Sequence, residues 1–302
     1  MLETEQVKEK EKEIPEESVN EFASAEEQET DEERETVEQK ESATATAAEM
    51  ADTELEAMFR AGVHFGYSRS RRHPKMAPYL FGVRNNIEIF DLVKVRVALQ
   101  RALQFLTDLG KSQRTVLFVA TKPSLNALLE AAAREINMPY VTERWLGGTL
   151  TNFKIIRSRV DRLITLKKQK ESGELARYTK KERVELDREA GRLERHFGGI
   201  ETLRELPAAL VVVDAEENRT AVREAVRTRI PVVAIVNVDC NPSQVSYPIP
   251  GNDAAPSSVE YLLKRIVAAY KEGGAAASNL GSAASEIASA VPDATTGAER
   301  ML

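Results

Sequence analysis

A chain of 302 residues with a formal net charge of −6 conceals two charge regimes: residues 1–50 hold 18 Asp and Glu against 5 Lys and Arg, while residues 51–302 hold 30 against 37. The single cysteine, Cys240, excludes an intrachain disulfide framework, and no CxxC or Cys/His cluster offers a zinc site. No run of 18 or more apolar residues occurs and the N-terminus is acidic, so membrane helix and signal peptide are both excluded and a cytoplasmic protein in a reducing compartment is predicted.

Residues 1–52 are nearly free of aromatic and large aliphatic side chains, so they cannot bury enough apolar surface to offset the entropy of ordering, and a disordered acidic leader is predicted. Thr53 is an N-cap candidate for a short helix whose apolar residues Leu55, Met58 and Phe59 have helical spacing and which ends at Gly62. After the loop "YSRSRRHPKMAPY", the stretches "YLFGVR" and "IEIFD" flank Asn85 and Asn86, which tolerate the positive φ of a tight hairpin. "LVKVRVALQRALQFLTDLG" then predicts an amphipathic helix stopped by Gly110.

Three nearly continuous apolar runs follow, "TVLFVA", "ALVVVDA" and "PVVAIVNV", rich in β-branched residues and suited to strands buried on both faces. "MPYVTER" offers a further short strand. Helical segments alternate with these runs, so a parallel sheet with helices on both faces, flavodoxin-like or Rossmann-like, is the expected fold class. "SSVEYLLKRIVAAYKEGG" closes the domain as a helix capped by Ser257 or Ser258.

Residues 153–198 break the alternation. Phe153, Ile156, Val160 and Leu163 set one apolar stripe and Leu186, Ala190, Leu193 and Phe197 another, as in an antiparallel coiled-coil hairpin. From Lys154 to Arg204 there are 15 Lys and Arg against 9 Asp and Glu, which makes this arm cationic. The predicted organisation is thus an acidic leader (1–52), an α/β domain in two parts (53–152 and 199–272), an inserted hairpin (153–198) and a flexible Ala/Ser-rich tail (273–302).

Three chemistries compete. A nucleotide site at "TVLFVATKPSLNALL" lacks GxGxxG and GxxxxGK[ST], and Pro123 removes a backbone donor where a phosphate would sit. Catalysis finds no GxSxG and only His64, His73 and His196, without metal-ligand spacing; Asp214 and Asp239, at strand ends, are the carboxylates that could approach one another and take a divalent cation, although such residues more often cap the next turn. Neither a cofactor nor a metal is therefore expected.

Nucleic-acid binding without catalysis fits best. Arg69, Arg71, Arg72, His73 and Lys75 lie between Tyr67 and Tyr79, Arg84 lies in the hairpin, Arg144 beside Trp145, and Lys154 and Arg157 at the foot of the arm: charge for phosphates, rings for stacking. In "ERWLGGTLTNF" the glycines 147 and 148 would admit a phosphate to backbone N–H groups, with Thr149, Thr151 and Asn152 as neutral donors that also cap the arm. The same corner reads equally well as a buried turn hinging domain and arm, and both roles can hold together. Replacing Arg71 and Arg72 is expected to weaken RNA binding without unfolding the chain.

The blocks "AGVHFG", "HPKMAPYLFGVRN", "ERWLGGTLTNFKIIRSRVDRL", "GGIETLRELPAALVVVD", "IPVVAIVNVDCNP" and "YPIPGNDAAPSSV" occur in this order, and from residue 53 to about 272 the chain resembles the bacterial small ribosomal subunit protein two family. That resemblance implies an α/β domain with a protruding helical hairpin, bound to 16S ribosomal RNA near the junction of head and body. It also implies a structural role in translation and a part in docking protein one of the small subunit. Against the family pattern, Tyr67 stands where a second histidine is usual, Pro123 where a basic residue is, and Asn237 and Asn241 where aspartates are, which argues against a carboxylate metal site with Asp214. The acidic leader is outside the usual pattern, and its charge suggests a shield against nonspecific RNA.

Overall fold

The structure, a computed structural model, describes the backbone of residues 52–289 and their side chains except at 175, 176 and 278–289. The acidic leader, residue 52 apart, and the last residues of the tail lie outside the described residues. The chain divides into a unit of residues 1–54 and one of 55–302, and every element below except the start of the first helix belongs to the second.

Helix α1 (52–60) ends at Gly62, whose φ of 75° only glycine adopts without strain. A small antiparallel sheet follows: β1 (Phe65–Ser68), β2 (Leu80–Arg84) and β3 (Ile87–Phe90), in the order β1-β3-β2. Asn85 and Asn86 have φ of 51° and 63° and make the predicted tight turn between β2 and β3. Within the stretch expected to be a loop, Tyr67 and Ser68 instead end β1, and Arg69–Arg71 and Pro74–Tyr79 wind into 3-10 turns.

The central sheet is parallel, of β4 (Val116–Val119), β5 (Tyr140–Val141), β6 (Ala209–Val213), β7 (Val232–Val236) and β8 (Tyr247–Pro250), in the order β5-β4-β6-β7-β8. Every residue of β4, β6 and β7 is buried, which is why these strands read as unbroken apolar runs. The edges suit their positions: β5 has two residues, and β8 carries Pro248 and Pro250, which cannot donate to a further strand. Truncating a side chain as large and fully buried as Phe118 would cost ~3–5 kcal/mol.

Helices surround this sheet: α2 (Leu92–Lys111), α3 (Asn126–Glu135), α6 (Arg219–Arg227) and α7 (Pro256–Ser289). Helix α2 packs on α7 and β8, and α6 on β7. Gly110 does not stop α2, which continues to Lys111. Gly110 is a packing residue: a Cβ there would strike the carbonyl of Tyr270, and one at Gly273 would strike that of Thr107, so the pair lets α2 and α7 approach closely. Helix α7 begins at Pro256, so Ser257 and Ser258 lie inside its first turn, and Ser257 Oγ donates to the Ala61 carbonyl at 3.0 Å. It also runs past 272, where a flexible tail was expected.

Helices α4 (Phe153–Glu171) and α5 (Lys180–Phe197) form the departure from the βα alternation. Ion pairs Arg162–Glu189 (3.3 Å) and Lys170–Asp187 (2.9 Å) hold them side by side, and α5 starts with a capping box between Thr179 and Glu182. Their interface is thin. Helix α4 buries Ile156, Val160, Leu163 and Leu166, whereas Leu186, Ala190 and Leu193 of α5 are half-buried and only Phe197 is fully so.

Candidate nucleic-acid interface

In a doubly wound fold the ligand crevice opens where the strand order reverses, at the C-terminal ends of the central strands. Here that place lies between β4 and β6, and the chain fills it from within. Lys122, just beyond β4, sets its ammonium 2.6 Å from Asp214 and 3.1 Å from Asp253, and donates to the Tyr67 hydroxyl at 3.1 Å. Asn237 Nδ2 donates to the other oxygen of Asp253 at 2.6 Å.

Two carboxylates share one ammonium in this cluster, and they respond differently. Burial and the charge of Asp214 push the Asp253 carboxyl up to about 6. For Asp214 burial acts upward too, but the N–H of Glu217 and the Lys122 ammonium outweigh it and hold it below the usual range. Lys122 is held charged above its ordinary value, the carboxylates prevailing over its burial. Asp214 Oδ1 accepts from the N–H groups of Glu216 and Glu217 at 3.1 and 3.0 Å, so it caps the following turn, the plainer of its two expected roles. Among the described residues no group of three or more metal-binding side chains is assembled.

The glycine corner is likewise internally occupied. Gly148, Leu150 and Thr151 donate backbone N–H bonds to the Glu224 carboxylate at 2.7, 3.0 and 3.2 Å, and Trp145 Nε1 donates to it at 3.2 Å. Burial raises the Glu224 pKa, but these donors outweigh it and hold the carboxyl below its ordinary range. The nest that a phosphate was expected to enter thus holds a carboxylate of α6. Trp145 and Thr149 are buried, at 8% and 3% exposure, and Thr149 Oγ1 donates to the Leu146 carbonyl. Both side chains are engaged within the fold, as the buried-turn reading of this corner has it. Asn152 occupies the N-cap position of α4 without a side-chain capping bond, and it is exposed.

The remaining expected contacts divide by whether their charge is already committed. Arg72 pairs at 3.3 Å with Glu88, a carboxylate only 1% exposed, and so neutralises a buried charge. Arg157 donates to the carbonyls of Glu201 and Leu203 at 3.1 and 3.0 Å and pairs with Asp161, tying α4 to the chain beyond α5. His73 caps a 3-10 turn by accepting from the Lys75 N–H. Arg71 lies over the Tyr67 ring, 5.4 Å from its centroid.

Arg69, Lys75, Arg84, Arg144 and Lys154 are exposed and, among the described residues, engage no partner through their side chains. The small sheet gathers some of them: Ser68 pairs with Ile87 and Ile87 with Arg84, while the Arg69 N–H donates to the Asn86 carbonyl at 3.1 Å. Arg69 and Arg84 therefore share the hairpin end of the sheet. Arg144 and Lys154 flank the glycine corner.

Sequence reasoning missed five arginines and one face. Arg188, Arg192 and Arg195 are exposed at helical spacing on α5, and Arg223 and Arg227 are one turn apart on α6. Their i, i+4 spacing was a legible signal. A groove of about 660 Å³ lined by Leu55, Phe59, His64, Phe81 and Val93 leaves Phe81 81% and Phe59 61% exposed. No helix among the described residues is long and apolar enough to cross a membrane.

Residues 58–273 match the family model described as ribosomal protein S2. The chain is 43% identical over 219 residues to small ribosomal subunit protein uS2 of Sorangium cellulosum, covering 72% of this chain and 79% of that one. It is 43% identical over 224 residues to uS2 of Syntrophobacter fumaroxidans (74% and 82%) and 40% identical over 227 residues to uS2 of Geotalea uraniireducens (75% and 89%). With an ordered body matched almost throughout and the switch-point crevice closed by its own side chains, the chain belongs to the ribosomal protein S2 family, whose members are structural components of the small ribosomal subunit and not enzymes.

Proposed function

We propose that the chain is a cytoplasmic structural constituent of the small (30S) ribosomal subunit that binds 16S rRNA near the head–body junction and helps to dock protein one of that subunit. The observation that carries the RNA reading is the set of cations without internal partners, Arg69, Lys75, Arg84, Arg144 and Lys154, drawn from separate segments of a body that otherwise pairs its buried charges. Phosphate contacts from such residues supply affinity and a steep salt dependence, while their arrangement on a rigid α/β body supplies register. The arm of α4 and α5 adds exposed arginines on a second element. Docking of a protein neighbour is supported by the apolar groove at Phe59 and Phe81, whose rings stand open to solvent.

The test replaces Arg69, Arg84, Arg144 and Lys154 together by glutamine and follows incorporation into small subunits. These side chains hold nothing else in place, so the variant should keep its melting temperature and lose occupancy as salt rises. Full occupancy at every salt concentration would put the RNA face elsewhere.

A further inference from the structure

Beside the glycine corner, a groove of about 720 Å³ is bounded by Gly148 and Thr151 on one side, by α6 on another and by Ser243 and Gln244 on a third. Arg223 and Arg227 stand exposed along it, and neither is in an ion pair or hydrogen bond among the described residues. By contrast Arg219, at the start of the same helix, is paired with Glu216 at 3.5 Å. Residues four apart rise about 6 Å along the helix axis, a spacing from which two long arginine side chains can meet successive phosphates of one strand.

The rest of the lining suits the same occupant. The Thr220 hydroxyl, the Ser243 hydroxyl and the Gln244 amide are exposed and have no partner among the described residues, so each is available to a ribose or phosphate oxygen. Val226, 58% exposed, offers an apolar surface to a sugar or base. Glu224 also lines the groove, but its carboxylate is buried beneath the donors of Trp145, Gly148, Leu150 and Thr151 and does not repel an anion there as a free one would.

We propose that this groove is a second RNA-contact surface that takes the phosphodiester backbone of a single RNA segment, with phosphates on Arg223 and Arg227. The proposal rests on the RNA-binding reading above and extends it to a groove whose two arginines are not among the expected contacts. It is continuous with the corner bearing Arg144 and Lys154, because Gly148 and Thr151 belong to both.

The experiment measures binding of the full chain to small subunits depleted of it, over a series of KCl concentrations. The variants are R223Q/R227Q, the charge-keeping R223K/R227K, and R69Q/R84Q as reference. Loss of two phosphate contacts should reduce the slope of log K against log salt by about 1.5 and weaken binding roughly ten-fold at about 0.1 M KCl. R223K/R227K should keep the wild-type slope, and all variants should melt with the wild type.

Wild-type affinity and slope in R223Q/R227Q, with R69Q/R84Q impaired, would overturn the groove and leave the RNA-binding reading standing. Weaker binding with an unchanged slope would overturn it in favour of a protein neighbour. A wild-type chain that binds at no salt concentration would overturn both.

Discussion

Glu224 and Gly148, 76 positions apart, are joined by a hydrogen bond of 2.7 Å from the glycine N–H to the carboxylate. The same carboxylate takes the N–H groups of Leu150 and Thr151 and the indole N–H of Trp145, so one α6 side chain fixes the turn from which the arm departs. Glu224→Ala leaves these donors without an acceptor, and stability should fall by at least ~3 kcal/mol. Urea unfolding would show it as an earlier midpoint; a midpoint equal to the wild type's would mean that the turn holds itself.

The same carboxylate sets a pH dependence. Its folded pKa is depressed, so its stabilisation is complete above the unfolded value of about 4.3 and is lost as pH falls through the folded one. Stability of the wild type should therefore decline below about pH 4.3, and Glu224→Gln, already weaker at neutral pH, should decline less steeply. Parallel curves for the two proteins below that pH would contradict the assignment.

Arg71 and Arg72 are adjacent but not equivalent. Arg72 is the counter-ion of buried Glu88, so Arg72→Ala should cost ~2–4 kcal/mol, whereas Arg71→Ala, losing only a contact over the half-buried Tyr67 ring, should melt within a degree or two of the wild type. This corrects the expectation that both can be replaced without harm to the fold. Thermal melts of the two single variants decide it.

Lys122 serves as a resident cation at the switch point. Lys122→Met should destabilise the fold by ~3–5 kcal/mol, since Asp214 and Asp253 then face each other uncompensated. Because the Lys122 ammonium already compensates both carboxylates, EDTA and added Mg²⁺ should both leave the wild type's melting temperature unchanged. A fall on chelation would place a cation in the cluster.

What could be read from the sequence follows how local each cause is. β4, β6 and β7 announced themselves because burial on both faces leaves nothing but apolar residues, and the hairpin because Asn85 and Asn86 take the positive φ it requires. Gly110 was misread as a helix stop, since its reason is Tyr270, 160 residues further on. That Trp145 is held inside the glycine corner could not be read locally, because the carboxylate that closes it, Glu224, comes from α6. Arg157 and Arg72 carried the charge expected of contacts, but their partners, the Glu201 and Leu203 carbonyls and Glu88, are set by the fold.

Exposed, unpaired cations are proposed to hold this chain on the small subunit. Cosedimentation of the tagged full chain with small ribosomal subunits across a salt gradient tests it most directly, with a chain lacking residues 154–195 run alongside. The full chain should be retained stoichiometrically at low salt and released as salt rises, and the chain without the arm should be released earlier. A full chain that stays at the top of the gradient at every salt concentration, or one retained equally at all of them, would contradict it.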